Sequence, residues 1–373
     1  MIFIFYLIVL NVKLSLEGNY FFTSRLNSLG SYCMMGYVTP FQYNGIFTIE
    51  LQNEMSFTTN ENIANNCDVN LGNHDIQMGN EEITALRMKN AFTFYGTSTQ
   101  IKGVEMFYVN SSKYKGIKTL RDSLSFAYKT IDNPDSMMSQ LIIHNLIDKY
   151  KISFIDSKIY FGEYPFSLEE SLHKGECDID NNEWGCYLNN IYYNNTLLYK
   201  TNEYARINSN DNKILVPKDF FKLLGEKILY HQIEAKTCTL YENKGVPYYL
   251  CYCGSVMNFP KMKFGLGNYF YEFDSRAFFE EMDGFCFLLF EENKNDNGFV
   301  LGESFLKKFS ETFDFDNKKI EFYSSYEGAI TKETIVKEEM NNTTLIKRLF
   351  YILYVLLCVI IIIQIIIKTK HII

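Results

Sequence analysis

Two short stretches, 150 residues apart, hold the side chains whose types and order could do chemistry. Phe57-Thr58-Thr59-Asn60-Glu61-Asn62 and Ile207-Asn208-Ser209-Asn210-Asp211-Asn212 share the pattern apolar, polar, hydroxyl, Asn, acid, Asn. If each belongs to one of two related lobes presenting the same turn, Glu61 and Asp211 supply one carboxyl apiece. Two carboxyls held close together are the raw material of general acid–base catalysis. Asn tolerates the left-handed backbone, so Asn60 and Asn210 are expected to keep a glycine-like turn. Coincidence in so Asn-rich a chain is the competing explanation. The remaining chemistry-bearing residues point elsewhere only weakly. His74, His144, His173 and His231 are scattered, with no HExxH and no nucleophile elbow, which leaves metalloprotease and serine hydrolase readings without support. Cys251 and Cys253 are separated by one residue with no neighbouring His, a poor match to structural zinc, so no metal is expected. Gly265-Leu266-Gly267 lacks the third glycine of a phosphate loop and is expected to form a hairpin turn, and no cofactor is implied.

The elements that must position these residues read as strands. Of 373 residues, 47% are hydrophobic and 16% aromatic, with 28 Tyr, 32 Phe and only 6 Pro, a balance that favours a mainly β fold with well-filled cores. Alternation predicts strands over 45–51, 91–95, 152–161, 184–191, 261–273 and 284–290. Helices are expected to be few and short, one opening at Val216-Pro217 with Asp219 in its first turn and another over 304–309. No Pro/Gly linker divides the chain, so two lobes would share a broad interface. A net charge of −8, from 36 Lys plus Arg against 44 Asp plus Glu, offers no basic face for a phosphate backbone and argues against nucleic acid as a partner.

Both ends carry membrane signals. Ile2 to Val12 is an apolar run of signal-peptide length followed by Ser15 and Gly18. Leu349 to Ile367 is apolar on every face and, at about 1.5 Å per residue, long enough to span a bilayer once. The expected layout is a signal peptide at 1–17, an N-terminal β lobe at 18–170, a C-terminal β lobe at 171–328, a stalk at 329–345, a transmembrane helix at 346–367 and a cytosolic tail at 368–373. That is a type I protein of the secretory pathway or cell surface with most of its chain lumenal or extracellular. Eight of nine cysteines, Cys33, Cys67, Cys177, Cys186, Cys238, Cys251, Cys253 and Cys286, fall in the expected lumenal part and are candidates for disulfides. Asn110, Asn194, Asn341 and Asn342 open glycosylation sequons.

One long segment resembles a known family. Phe299-Val-Leu-Gly-Glu-Ser-Phe-Leu-Lys-Lys-Phe-Ser-Glu-Thr-Phe-Asp-Phe-Asp-Asn-Lys-Lys-Ile-Glu-Phe322 is similar to the C-terminal signature of pepsin-like aspartic proteases. Phe94-Tyr95-Gly96-Thr97-Ser98-Thr99 resembles the flap hairpin, with Tyr95 at the flap tyrosine. Leu124-Ser125-Phe126-Ala127-Tyr128 resembles the strand and helix start of the N-terminal lobe, with Ser125 where the family has Gly. Trp184 to Ile191 resembles the strand that opens the C-terminal lobe, and Cys251 or Cys253 with Cys286 resembles that lobe's disulfide loop. The resemblance covers about 43–323 and implies two β lobes related by a pseudo-twofold, with a cleft that takes an extended peptide beneath the flap. Tyr95, Gly96, Thr97, Asn60 and Asn210 would line that peptide.

Each lobe of this family donates one Asp from an Asp-Thr/Ser-Gly turn. The echoing triplets put Thr58 and Asn208 in those places, and neither side chain titrates near neutral pH. The expectation is a peptidase homologue that binds extended peptide or protein segments without cleaving them. Two alternatives stand beside it: an active aspartic endopeptidase working through displaced carboxylates Glu61 and Asp211, and a structural surface protein that keeps only the fold.

Overall fold

The strands form where alternation and aromatic content predict them. The computed structural model describes residues 20–332, except 24, 27–31, 40–42, 52–54, 79–80, 95–99, 111–122, 156–157, 163–171, 181, 210–212, 244, 258, 275–276 and 295–297, and it describes residues 20–50 by backbone alone. The expected signal peptide, stalk from 333 on, membrane span and tail lie outside the described residues, as do Tyr95, Gly96 and Thr97. Among the described residues no helix is long and apolar enough to cross a membrane.

The protein is mainly β, with helices of four to seven residues between strands. Two eight-stranded sheets carry the two halves. The N-terminal sheet runs from Arg25–Leu26 to Ser123–Ser125, and the C-terminal sheet from Gly185–Tyr193 to Ile330–Lys332. A six-stranded sheet joins them, with Tyr20–Thr23, Lys158–Phe161 and Lys151–Ile155 on one side and Ser310–Asp314, Lys319–Ser324 and His173–Asp178 on the other. The seam between these sets is the antiparallel register Lys151↔Asp314 and Ile152↔Phe313. Lys151 pairs with Asp314 at 2.7 Å across it, and the buried hydroxyls of Ser153 and Thr312 are 2.8 Å apart. Burial pushes the Asp314 carboxyl up, but hydrogen bonds from Lys151 and Asn317 outweigh it and hold the group below the usual carboxylate range.

Most buried apolar side chains form one continuous core through both halves, and a smaller cluster of Phe57, Ile76, Ile83, Ala85, Phe107 and Val109 sits under the N-terminal sheet alone. The expected strand over 261–273 is a hairpin, Met262–Leu266 with Tyr269–Phe273, turning at Gly267, whose φ of +58° suits a residue without Cβ. Ile330–Lys332, at the start of the polar stretch expected to be a stalk, pairs with Tyr269–Tyr271 and extends the C-terminal sheet.

Six of the candidate cysteines are bridged, as Cys177–Cys186, Cys238–Cys251 and Cys253–Cys286. The alternative left open for Cys286 is thereby resolved in favour of Cys253; Cys251 lies opposite both Cys238 and Cys286 in the ladder and is bridged to Cys238. Cys67, expected to be bridged, is a free thiol. Cys33 lies in the strand Tyr32–Thr39, among residues described by backbone alone.

Candidate functional site

In each half a leading strand runs into a loop, a trailing strand leaves it, and a central strand lies between the two. In the C-terminal half these are Thr196–Ile207, Ile214–Val216 and Val300–Leu301; in the N-terminal half they are Tyr43–Glu50, Phe57–Thr58 and Ser123–Ser125. The leading strand is parallel to the central one in both, with Arg206↔Val300 and Ile207↔Leu301 in one half and Thr48↔Ser123 and Ile49↔Leu124 in the other. The trailing strand is antiparallel to it in both, with Leu215↔Val300 and Phe57↔Ser123.

Ser123 and Val300 therefore occupy the same place in the two ladders, and the rest follows by counting. Thr48 matches Arg206 and Phe57 matches Leu215, with nine residues from leading to trailing register position in each half. A neighbouring parallel strand gives an independent check. The Thr58 carbonyl accepts from Val109 N–H at 3.0 Å, and the Val216 carbonyl accepts from Asn293 N–H at 2.8 Å. Three residues beyond Thr48 and Arg206, Leu51 and Ser209 are both buried.

This count corrects the reading of the echo. Thr58 matches Val216, in the trailing strand, and the backbone place matching Asn208 belongs to Glu50. The two halves repeat at 158 residues across the loop, whereas the six-residue echo repeats at 150, so the echo is a local likeness outside the sheet register. Glu61 then matches Asp219, and both are acids in the first turn of the short helix that follows the trailing strand, Glu61–Asn65 and Lys218–Leu223. An acid there is stabilised by the helix N-terminus. Glu61 is exposed, and its charge falls on Tyr108, whose hydroxyl is held above its usual pKa first by burial and then by Glu61. Glu61 is thus a helix-start acid and no counterpart of Asp211. Asn60 is also corrected: its backbone is extended, at φ −85° and ψ 112°, and its side chain caps the helix by accepting from Asn62 N–H at 2.9 Å. Thr58 is fully buried, and its Oγ1 accepts from Asn60 N–H at 3.1 Å.

Asn208 is held at the end of its strand by donating its N–H to Leu301 O at 3.1 Å. Asn210 and Asp211 lie outside the described residues. Ser125, the residue matching Gly302, is tied to the N-terminal loop's exit, its N–H donating to Ser56 Oγ at 3.0 Å. Ser56 and Ser125 line a small polar cavity with Glu105, Thr130, Asn133 and Ser136. Beyond Gly302 the buried Glu303 opens a one-turn helix; burial pushes its carboxyl up to about 7 against the pull of Lys307.

One residue ties the two loop-bearing ladders together. The fully buried Trp184 donates its indole N–H to Phe126 O at 2.8 Å, immediately after the N-terminal central strand, while its own carbonyl accepts from Ile207 N–H at 2.8 Å, immediately before Asn208. Tyr128, Phe313 and Phe315 meet its ring edge-on, with centroids 4.7–5.3 Å away. As the chain's single Trp it stood out in the sequence as a strand opening; its part in joining the halves was not legible there.

No group of three His, Cys, Asp or Glu suited to a metal ion occurs among the described residues. Residues 96–325 match the family model described as eukaryotic aspartyl protease. No curated protein matches the chain.

Proposed function

Because the chain belongs to the eukaryotic aspartyl protease family, we propose that it is a non-cleaving member, anchored by one membrane span in the secretory pathway or at the cell surface, which holds extended peptide or protein segments between its two halves. The observation that carries this reading is Asn208. Hydrolysis in this family needs one carboxyl to take a proton from water while a second gives one to the peptide carbonyl. A carboxamide can do neither at any physiological pH. What is left is a place between two sheets where an extended segment finds main-chain hydrogen-bonding partners and side-chain pockets. Three disulfides suit the oxidising side of a membrane.

The test is to incubate the full chain, in detergent, with a diverse peptide library from pH 4 to 7 and to follow both cleavage and retention by mass spectrometry. The expected result is retention of a subset of peptides with no new termini at any pH. Cleavage by the wild-type protein would overturn the non-cleaving assignment, and failure to retain any peptide would overturn the binding one.

A further inference from the structure

We propose that Glu50 is the partner of Asn208, so that the centre between the halves combines one carboxyl with one carboxamide. The inference rests on the aspartyl-protease reading and deepens it at the same site. Its warrant is the paired ladders: parallel registers that put Glu50 and Asn208 two residues beyond Thr48 and Arg206, antiparallel registers that close both loops after the same count, and matching hydrogen bonds to Thr58 and Val216 beyond them. The family match begins at residue 96, so the N-terminal loop lies outside it and the sheet alone identifies its partner.

Such a centre has a definite ligand chemistry. An ionised carboxyl offers only acceptors, and a carboxamide offers two donors beside an acceptor. Together these two chemistries complement the N–H and C=O of an intact peptide amide. A single carboxyl cannot both take a proton from water and give one to the carbonyl oxygen in the same step. Replacing Asn208 with Asp would restore two carboxyls. Water could then add to the peptide carbonyl carbon, its proton going to one carboxylate while the other acid protonates the carbonyl oxygen. The C–N bond breaks when the protonated carboxyl passes its proton to the departing nitrogen while the other carboxylate takes a hydroxyl proton from the diol as the new C=O forms.

The experiment uses the full chain and the same peptide library. Asn208→Asp, and Glu50→Asp combined with Asn208→Asp to remove Glu's extra methylene, are assayed from pH 3.5 to 6. They are compared with Asn208→Asp carrying Glu50→Gln, Thr58→Val or Thr58→Asp. The expected result is acid-dependent cleavage at least a hundredfold above wild type in one of the first two variants, abolished by Glu50→Gln and changed less than threefold by Thr58→Val. Two outcomes overturn the proposal: activity that requires Thr58→Asp and ignores Glu50→Gln, or inactivity of both carboxyl-pair variants while their circular dichroism and melting match wild type. Wild-type cleavage that Glu50→Gln abolishes would sustain Glu50 at the centre while ending the non-cleaving assignment. Absence of peptide retention by wild type would end the binding assignment and leave the gain-of-activity test intact.

Discussion

The two halves of this protein share one ladder plan and are held together by different means. In the C-terminal half three disulfides close loops separated by 9, 13 and 33 residues in sequence, around a dense array of rings that includes Phe264, Tyr271, Phe273, Phe305 and Phe322. In the N-terminal half Cys67 is a free thiol, and the trailing strand rests on a satellite core of six residues. The same hydrogen-bond registers can thus be kept with covalent closure and dense aromatic packing or with a share of the common core and a small apolar cluster. The difference teaches that the ladder, and not the residues filling it, is the shared element. A ladder constrains backbone positions and leaves side chains free to change as long as each face stays buried.

The largest expected effect that sharpens this contrast comes from the longest covalent loop. Replacing Cys253 and Cys286 together by Ser should cost about 3–4 kcal/mol, read by urea melting, whereas Cys67→Ser should change stability by no more than about 0.5 kcal/mol. Equal losses from the two changes would break the comparison. Next is the residue that joins the halves. Trp184→Phe strands the Phe126 carbonyl in the core and thins the ring cluster, and should cost about 2–3 kcal/mol. Hydrogen exchange should quicken together at 123–126 and 206–208; acceleration in one segment alone would show that Trp184 belongs to a single half.

A smaller effect follows from the buried acids of the C-terminal half. Glu303, pushed up to about 7 by burial, and Glu311, held well above the carboxylate range by burial, both bind a proton more tightly folded than unfolded. Their neutral forms therefore contribute stability that is full below the unfolded carboxyl pKa and is lost as pH rises through the folded one. The melting temperature should fall between pH 5 and pH 7.5, and Glu303→Gln should flatten that slope. Asp314, whose carboxyl is lowered, contributes in the opposite sense only below that window. A melting temperature that rises with pH over this range would contradict the burial of both acids. The smallest effects concern the N-terminal helix start. Asn60→Ala removes the cap and should cost about 1 kcal/mol, while Glu61→Gln should cost only a few tenths of a kcal/mol through the helix dipole and leave peptide retention unchanged. A loss of retention with Glu61→Gln would return that residue to the centre.

Much of the architecture was legible because it is written locally. Each of the six stretches marked by period-two alternation falls on strand, although 91–95 caught only the end of Glu81–Phe94 and many further strands went unmarked; Pro217 marked the helix start, and the segment 299–322 carried its resemblance in consecutive residues. Cysteine count found the six that bridge but gave Cys67 a bond it lacks, since pairing depends on which strands lie side by side. The hairpin at Gly267 was readable from its glycines; the extended capping role of Asn60 was not, since Asn suits both a left-handed turn and a helix cap, and only the chain that follows selects between them.

The amino-acid sequence by itself determined that the chain is mainly β and that it carries the aspartyl protease pattern. Only the tertiary structure pointed to Glu50 as the proposed partner of Asn208. Equivalence between the halves is set by hydrogen-bond registers between strands about 75 residues apart in the N-terminal half and about 95 in the C-terminal half, and no window of six residues contains that information. A local echo can match by composition, whereas a ladder admits one count, because slipping it by a single residue would turn every buried side chain to the opposite face.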